Sequence, residues 1–225
     1  MKPLLLFLVL INFSFFAKSQ VIRSFKAFDI GAGMSMNSVA GDAEASKYTK
    51  AVNLNLNYNF SPYINIIGEL QFGSLAGGNA FKDLSGRQFQ NSFKTIGLRA
   101  QLQMGAFTGS EGNALKNLYV GAGAGFIDND IKSINRQSFL LEDFPETPGV
   151  NNSVNTFIPV RLGYEAKVQN SYGQTLFKVD LAYQHNFILG DELDGFTTGK
   201  YKDTFSQVNL GIKVCAFDRQ WKRGY

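Results

Sequence analysis

Apolar and polar residues alternate one by one along much of this chain. The clearest example is residues 52–60, where every even position is apolar or aromatic and every odd position is Asn. A helix, with about 3.6 residues per turn, would mix Asn and Leu on each of its faces. This segment is therefore predicted to be a β-strand with one apolar and one polar face.

The same alternation recurs in seven further segments and predicts an all-β protein. The predicted strands cover residues 28–36, 52–60, 64–72, 96–104, 118–126, 158–164, 177–183 and 208–216. Long connections are predicted at 37–50, 74–92, 128–154 and 188–203, and the connections between them are shorter, with 105–117 as an exception. An even number of strands with long and short connections in alternation is typical of bacterial outer-membrane barrels.

Alternation alone also fits a water-soluble sandwich, in which the apolar face points inward. Strand length favours a membrane barrel, because the strands exceed the roughly five or six residues usual in soluble sheets and match a tilted membrane crossing. Aromatic residues near the strand ends favour it too, since aromatic girdles lie there in such barrels. They are Tyr58, Phe60, Phe72, Phe126, Phe177, Tyr183 and Phe217.

The predicted fold is an eight-stranded antiparallel up-and-down transmembrane β-barrel. It must be closed by pairing of the first and last strands, because unpaired backbone groups are too costly in hydrocarbon. An eight-stranded barrel has room inside only for its own side chains, so we expect a closed polar lumen and no open pore.

The candidate site is a network of charged side chains on the polar faces, which the barrel would enclose. Buried charges cost several kcal/mol each unless they are paired, so we expect them to neutralise one another, with an ion pair between Glu69 and Arg99. The network comprises Asp29, Glu69, Glu165 and Asp180 with Arg99, Arg161, Lys178 and Lys213, and Lys167 is a further inward cation.

The first residues predict a cleaved secretory signal peptide at 1–19. Lys2 precedes an apolar run at 4–16, and Ala17 and Ser19 place small residues at the cleavage site. A membrane anchor is the alternative, but about 13 apolar residues span only about 20 Å of helix against a hydrocarbon core of about 30 Å. The barrel domain is then expected at 20–217, followed by a polar tail at 218–225.

Composition excludes several kinds of site. One Cys and one His rule out a disulfide scaffold and a zinc site built from several Cys and His ligands. Loss of Lys2 and Lys18 with the signal peptide leaves 20 basic against 18 acidic residues, which gives no reason to expect nucleic-acid binding. No cofactor, metal site or catalytic residue is predicted.

Three segments resemble small outer-membrane β-barrel proteins of the OmpA-like and OmpX-like type, in particular the versions common in Bacteroidota. They are Tyr-Asn-Phe-Ser-Pro-Tyr at 58–63, Leu-Tyr-Val-Gly-Ala-Gly-Ala-Gly-Phe at 118–126 and Ile-Pro-Val-Arg-Leu-Gly-Tyr at 158–164. The resemblance covers the mature chain and implies export through the Sec pathway to the outer membrane. It also implies outer-membrane lipids, periplasmic chaperones and the barrel-assembly machinery as partners. Such barrels end on an aromatic residue, a place that Phe217 fills here before the tail.

The function expected first is a non-enzymatic barrel with a structural or surface-interaction role. One alternative is an outer-leaflet enzyme acting on lipid A or phospholipid, which would have to use His185, the sole imidazole, on the lipid-facing side. Another is a subunit of an envelope secretion or gliding complex, in which the tail and the connection 105–117 would meet periplasmic partners.

Smaller features leave further alternatives. Cys215 is expected to be an inward-facing filler. The acidic run Asp191, Glu192 and Asp194 fits either a solvated loop or a Ca²⁺ site, although it lacks the ligand spacing of a dedicated calcium loop. An apolar group in the connection 128–154 would fold onto the barrel mouth or form an adhesive patch; it consists of Phe139, Leu140, Leu141 and Phe144.

Overall fold

The structure, a computed structural model, describes residues 23–41, 45–79, 86–108, 114–137, 148–171, 174–190, 192–197 and 202–221. The predicted signal peptide, residues 222–225 of the predicted tail and the apolar group at 139–144 lie outside the described residues. Among the helices of the described part, none has the length and apolar composition needed to span a bilayer.

Strands account for most of the described residues. They are β1 (Arg23–Ala40), β2 (Ser46–Lys47), β3 (Thr49–Asn59), β4 (Ile64–Gly77), β5 (Gln88–Gln103), β6 (Leu118–Asn135), β7 (Asn152–Gln169), β8 (Thr175–Ile188) and β9 (Thr204–Trp221). Two short helical turns, α1 (Gly105–Thr108) and a 3₁₀ turn (Ala114–Asn117), lie in the connection between β5 and β6.

The eight long strands of the described part form one closed antiparallel ring, and β2 adds two residues to the edge of β4. Each long strand pairs with its neighbour in the chain, and β1 pairs with β9 to close the ring. Paired residues followed once around the ring from Phe28 lead back to β1 at Ser38, so the strands are staggered and tilted. The predicted eight-stranded antiparallel barrel is thus confirmed.

The outer surface of the barrel is apolar in its middle, and the lumen beneath it is polar. This distribution is the reverse of that in a soluble protein and matches a barrel whose outer face meets lipid. Exposed side chains include Ile30, Leu54, Leu56, Ile96, Leu98, Phe126, Leu162, Leu181, Leu210 and Ile212. Buried ones include Asp29, Asn53, Asn57, Gln71, Arg99, Gln101, Arg161, Gln184 and Lys213.

The strands extend beyond their predicted ends, toward the connections predicted to be long, so the predicted bounds of those connections were wrong. β6 continues to Asn135 and β5 begins at Gln88, which leaves connections at 41–48, 78–87, 136–151 and 189–203. In these extensions the outward face becomes largely polar and the inward face gains apolar side chains among polar ones, with Lys94 and Asp128 outside and Phe93 and Ile127 inside. The apolar-outside pattern that predicted the strands therefore stops while the strands continue.

The last strand also continues past its predicted end. Backbone pairing of β9 with β1 reaches Trp221, opposite Arg23, so residues 218–221 of the predicted tail lie in the barrel wall. Phe217 has a positive φ of 58°, a conformation that costs a non-glycine residue about 1–3 kcal/mol. Phe217 stays within β9, and its exposed ring lies 6.2 Å from that of Phe28 and extends an aromatic cluster with Tyr58 and Phe60.

Candidate functional site

The charged residues predicted to face the lumen lie there together. They form an unbroken chain in which negative and positive groups alternate: Asp29, Lys178, Glu165, Lys213, Asp180, Arg161, Glu69 and Arg99. Successive N–O distances along this charge chain are 2.6, 3.4, 2.7, 3.4, 3.0, 3.2 and 3.4 Å. Each interior member has a counter-ion on both sides, which offsets the cost of removing it from water.

The register of β7, β8 and β9 places like charges directly opposite each other. Glu165 lies opposite Asp180, and Lys178 lies opposite both Lys167 and Lys213. Directly opposed like charges are destabilising, so the attraction comes from diagonal neighbours such as Lys178 and Glu165, and from Lys213, which reaches Glu165 across β8. A slip of any one of these strands by one residue would turn its charges outward toward lipid, and the charge chain therefore helps to fix the register.

Glu69 and Arg99, the pair expected from the sequence, contact each other within a larger group. Glu69 Oε2 lies 3.4 Å from Arg99 Nη2 and 3.2 Å from Arg161 Nη1. Gln184 Oε1 accepts a further hydrogen bond of 3.2 Å from Arg99. Lys167 stands beside the chain and donates to Gln103 Oε1 at 2.6 Å.

Tyr119 belongs to the same group and was missed by the sequence analysis. Its hydroxyl donates to Asp180 Oδ1 at 2.6 Å and accepts from Arg161 Nε at 3.1 Å. Gly163 makes room for the ring, since a Cβ atom there would lie 2.5 Å from Tyr119 Cζ. The available signal was an aromatic residue at a polar-face position of the segment 118–126.

The lumen is not polar throughout, which corrects the expectation of a wholly polar interior. At the end with the long connections, every long strand contributes an inward apolar side chain to one buried cluster, which we call the apolar seal. Its members on the strands are Val39, Ala51, Leu75, Phe89, Phe93, Ile127, Phe157, Ile188 and Phe205, and the connection 189–203 adds Leu193 and Phe196.

The acidic run near the apolar seal is only partly solvated. Asp194 is buried, and its Oδ1 accepts a hydrogen bond of 3.0 Å from the Phe196 backbone N–H. Asp191 lies outside the described residues. Within the described ranges no group of three or more His, Cys, Asp or Glu side chains is placed to hold a metal ion.

A small cavity of about 10 Å³ lies between the charge chain and the apolar seal, lined by Glu69, Arg99, Phe157 and Gln184 among others. A single water molecule needs about 10–15 Å³ of such space. This cavity therefore has room for about one water molecule and for no larger solute.

His185 lies apart from the charge chain on the outer face of the barrel, whereas Cys215 lies beside Asp29, the first member of the charge chain. His185 faces outward, with Nδ1 2.9 Å from Ser206 Oγ, which also accepts a hydrogen bond of 2.9 Å from the Tyr183 hydroxyl. Cys215 is a half-buried free thiol on β9, opposite Asp29 on β1.

No protein-family model and no curated protein matches the chain. Among solved structures, Neisserial surface protein A is 12% identical, with 86% of this chain and 99% of that chain covered and a TM-score of 0.47. Ail, the attachment invasion locus protein of Yersinia pestis, is 16% identical, with coverage of 84% and 98% and a TM-score of 0.45. CarO2 of Acinetobacter baumannii is 15% identical, with coverage of 88% and 100% and a TM-score of 0.42. These neighbours are small outer-membrane β-barrels with eight strands.

Proposed function

We propose that this chain is an integral outer-membrane protein of the OmpA-like or OmpX-like type, a closed and non-enzymatic barrel with a structural or surface-interaction role. The observation that carries the proposal is the packing of the lumen: the charge chain and the apolar seal bury their side chains inside the barrel, and the cavity between them has room for about one water molecule. Export through the Sec pathway, insertion by the barrel-assembly machinery and contact with outer-membrane lipids follow from this role.

The polar outward face of the strand extensions supports a role at the cell surface. The outward face changes from Ile96 to Lys94 on β5 and from Phe126 to Asp128 on β6, and Lys94 lies opposite Asp128 in the ladder. A polar outward face belongs in water, so this level marks the edge of the hydrocarbon layer. Beyond this level the strands continue around the apolar seal. The long connections are therefore attached to a part of the barrel that extends past the hydrocarbon layer.

Planar bilayers provide the direct test of the closed lumen. We expect wild-type protein to give no steady ionic current, because charged and apolar side chains fill the lumen. Insertion is verified on the same samples by protease protection of the membrane-embedded strands. Steady conductance from inserted protein would contradict the proposal.

The enzyme alternative has one observation in its favour, the contact between His185 and Ser206 on the lipid-facing side. We nevertheless expect cells that express the His185→Ala variant, the wild type or no protein to have the same lipid A and phospholipid composition. Mass spectrometry of extracted lipids measures this, with Tyr183→Phe as the matched control for loss of the other hydrogen bond to Ser206. A change in lipid composition that depends on His185 would establish the enzyme instead.

The alternative of a complex subunit is favoured by two exposed apolar side chains, Phe107 and Leu115, in the connection between β5 and β6. Exposed apolar residues at a turn are candidates for contact with a partner or with lipid headgroups. Co-purification after gentle detergent extraction distinguishes a subunit from a lone barrel.

A further inference from the structure

Residues 192–197, here called the plug segment, are held in the mouth of the barrel by side chains of the strands and by Asp203, which directly precedes β9. Asn91 and Asn129 both donate to the Leu193 carbonyl oxygen, at 2.8 and 2.9 Å. Ser153 donates to the Glu192 carbonyl at 3.2 Å, and Asp203 Oδ2 accepts from the Leu193 N–H at 2.8 Å. Main-chain groups of the plug segment are thus recognised one by one, as the main chain of a bound peptide would be.

Two side chains of the plug segment enter the apolar seal. Leu193 and Phe196 are both fully buried, and the Phe196 ring meets Phe89 edge-on at 6.5 Å. The Arg87 guanidinium lies over the Phe196 ring, with its carbon 5.7 Å from the ring centre. The segment therefore presents an apolar residue and, three positions later, an aromatic one to an apolar recess. We call this recess the cup; its wall consists of the strand members of the apolar seal.

The wall of this cup belongs to the barrel and not to the plug segment. Every long strand contributes to it, whereas Leu193 and Phe196 come from the connection between β8 and β9. Gly195 lies between them with a positive φ of 81°, and a Cβ atom there would be 2.8 Å from Ile134 Cδ1. A glycine is needed at this close approach, so the bound shape of the segment is specific.

We propose that the cup is a binding site for a peptide segment of another molecule, with an apolar residue followed three positions later by an aromatic residue. The plug segment occupies this site in cis. The proposal rests on the proposed surface role, because the cup opens on the side of the long connections. An external peptide must displace a tethered competitor whose effective concentration is in the millimolar range.

The polar groups of the cup favour a peptide over a lipid or another apolar small molecule. Asn91 and Asn129 aim two donors at one carbonyl oxygen, and Asp203 accepts backbone N–H groups of both Leu193 and Asp194. An acyl chain has no N–H donor to offer a buried carboxylate. A peptide satisfies both kinds of group while its side chains fill the apolar wall.

The test compares the wild type with Leu193→Ala/Phe196→Ala, which empties the cup. The probe is a fluorescent, end-capped peptide with the sequence Glu-Leu-Asp-Gly-Phe-Thr, and the control probe is Glu-Ala-Asp-Gly-Ala-Thr. We expect the double variant in lipid nanodiscs to bind the first probe at least about tenfold tighter than the wild type does, by fluorescence polarisation, because the tethered competitor is weakened. Asn129→Ala in the same background is expected to weaken this binding at least about fivefold, through loss of the hydrogen bonds that Asn129 donates to the carbonyl oxygens of Glu192 and Leu193.

Equal binding of the two probes, or equal binding by wild type and double variant, would overturn the proposal. A dimer formed by exchange of plug segments would also overturn it, since a second copy would then be the occupant. If the double variant does not fold, Phe196→Ala alone takes its place, with the folded fraction measured by circular dichroism. Bilayer conductance is measured independently of peptide binding, so failure of this proposal and failure of the proposed closed barrel are distinguishable.

Discussion

Replacement of Arg161 by Met is expected to lower the free energy of unfolding by about 3–5 kcal/mol, the usual cost of removing one partner from a buried ion pair. Arg161 binds Asp180 at 3.0 Å, Glu69 at 3.2 Å and the Tyr119 hydroxyl at 3.1 Å. Met fills the space of the Arg stem, so the loss comes from Asp180 and Glu69, which keep only Lys213 and Arg99 as counter-ions, and not from a cavity. Urea unfolding of the protein folded into lipid vesicles measures the difference.

An exposed ion pair provides the matched control. Lys132 pairs with Asp130 on β6, with both side chains about half exposed, so Lys132→Met should change the free energy of unfolding by less than about 1 kcal/mol. The double change Arg161→Met/Asp180→Asn removes one charge of each sign and keeps an acceptor for Tyr119. It should be less destabilising than Arg161→Met alone, and equal costs for Arg161→Met and Lys132→Met would contradict the charge chain.

The fold was predictable because one physical rule governs the membrane-embedded part of every strand. Where lipid lies outside and side chains fill the inside, residues such as Leu54 and Asn55 must alternate. This alternation can be recognised within a single strand, without knowledge of the strands beside it. The same rule assigned Asp29, Glu69 and Arg161 to the lumen, since they lie in phase with the polar face. The order of the residues within the charge chain depends on the register and tilt of the strands, which the sequence of a single strand does not determine.

The parts that were not predicted lie where the rule changes. On β5 the outward face becomes polar at Lys94 and the inward face becomes apolar at Phe93. A pattern with apolar residues only on the outward face therefore predicts a strand that is too short. Apolar and polar residues do not alternate in the plug segment, because its backbone is hydrogen-bonded by side chains such as that of Asn91 and not by a neighbouring strand. Its burial depends on contacts between residues about 100 positions apart, and local sequence carries no trace of them.

A single substitution on the outward face tests where lipid lies. Leu56→Arg is expected to cost about 2–4 kcal/mol in unfolding free energy, because it places a charge near the middle of the hydrocarbon layer. Leu56 is exposed, and it lies opposite Ile30 and Gly68, near the centre of the apolar band. Val52→Arg changes the same face of the same strand near Lys50, at the edge of the band, and should cost only about 0–1 kcal/mol.

Asn55→Arg tests the inward face of β3 at the depth in the membrane where Leu56→Arg tests the outward face. Asn55 lies opposite Glu69, and its side chain approaches Gly31, so an added Arg gains a nearby carboxylate and loses mainly through crowding. Its cost should therefore be the same in vesicles of short and long acyl chains, whereas that of Leu56→Arg should rise with hydrocarbon thickness as the charge lies deeper. Urea unfolding of all three variants in both lipids measures this. If Leu56→Arg and Val52→Arg both changed the free energy by no more than about 0.5 kcal/mol, as substitutions on a water-exposed surface do, the apolar band would face water and the barrel would not span a membrane.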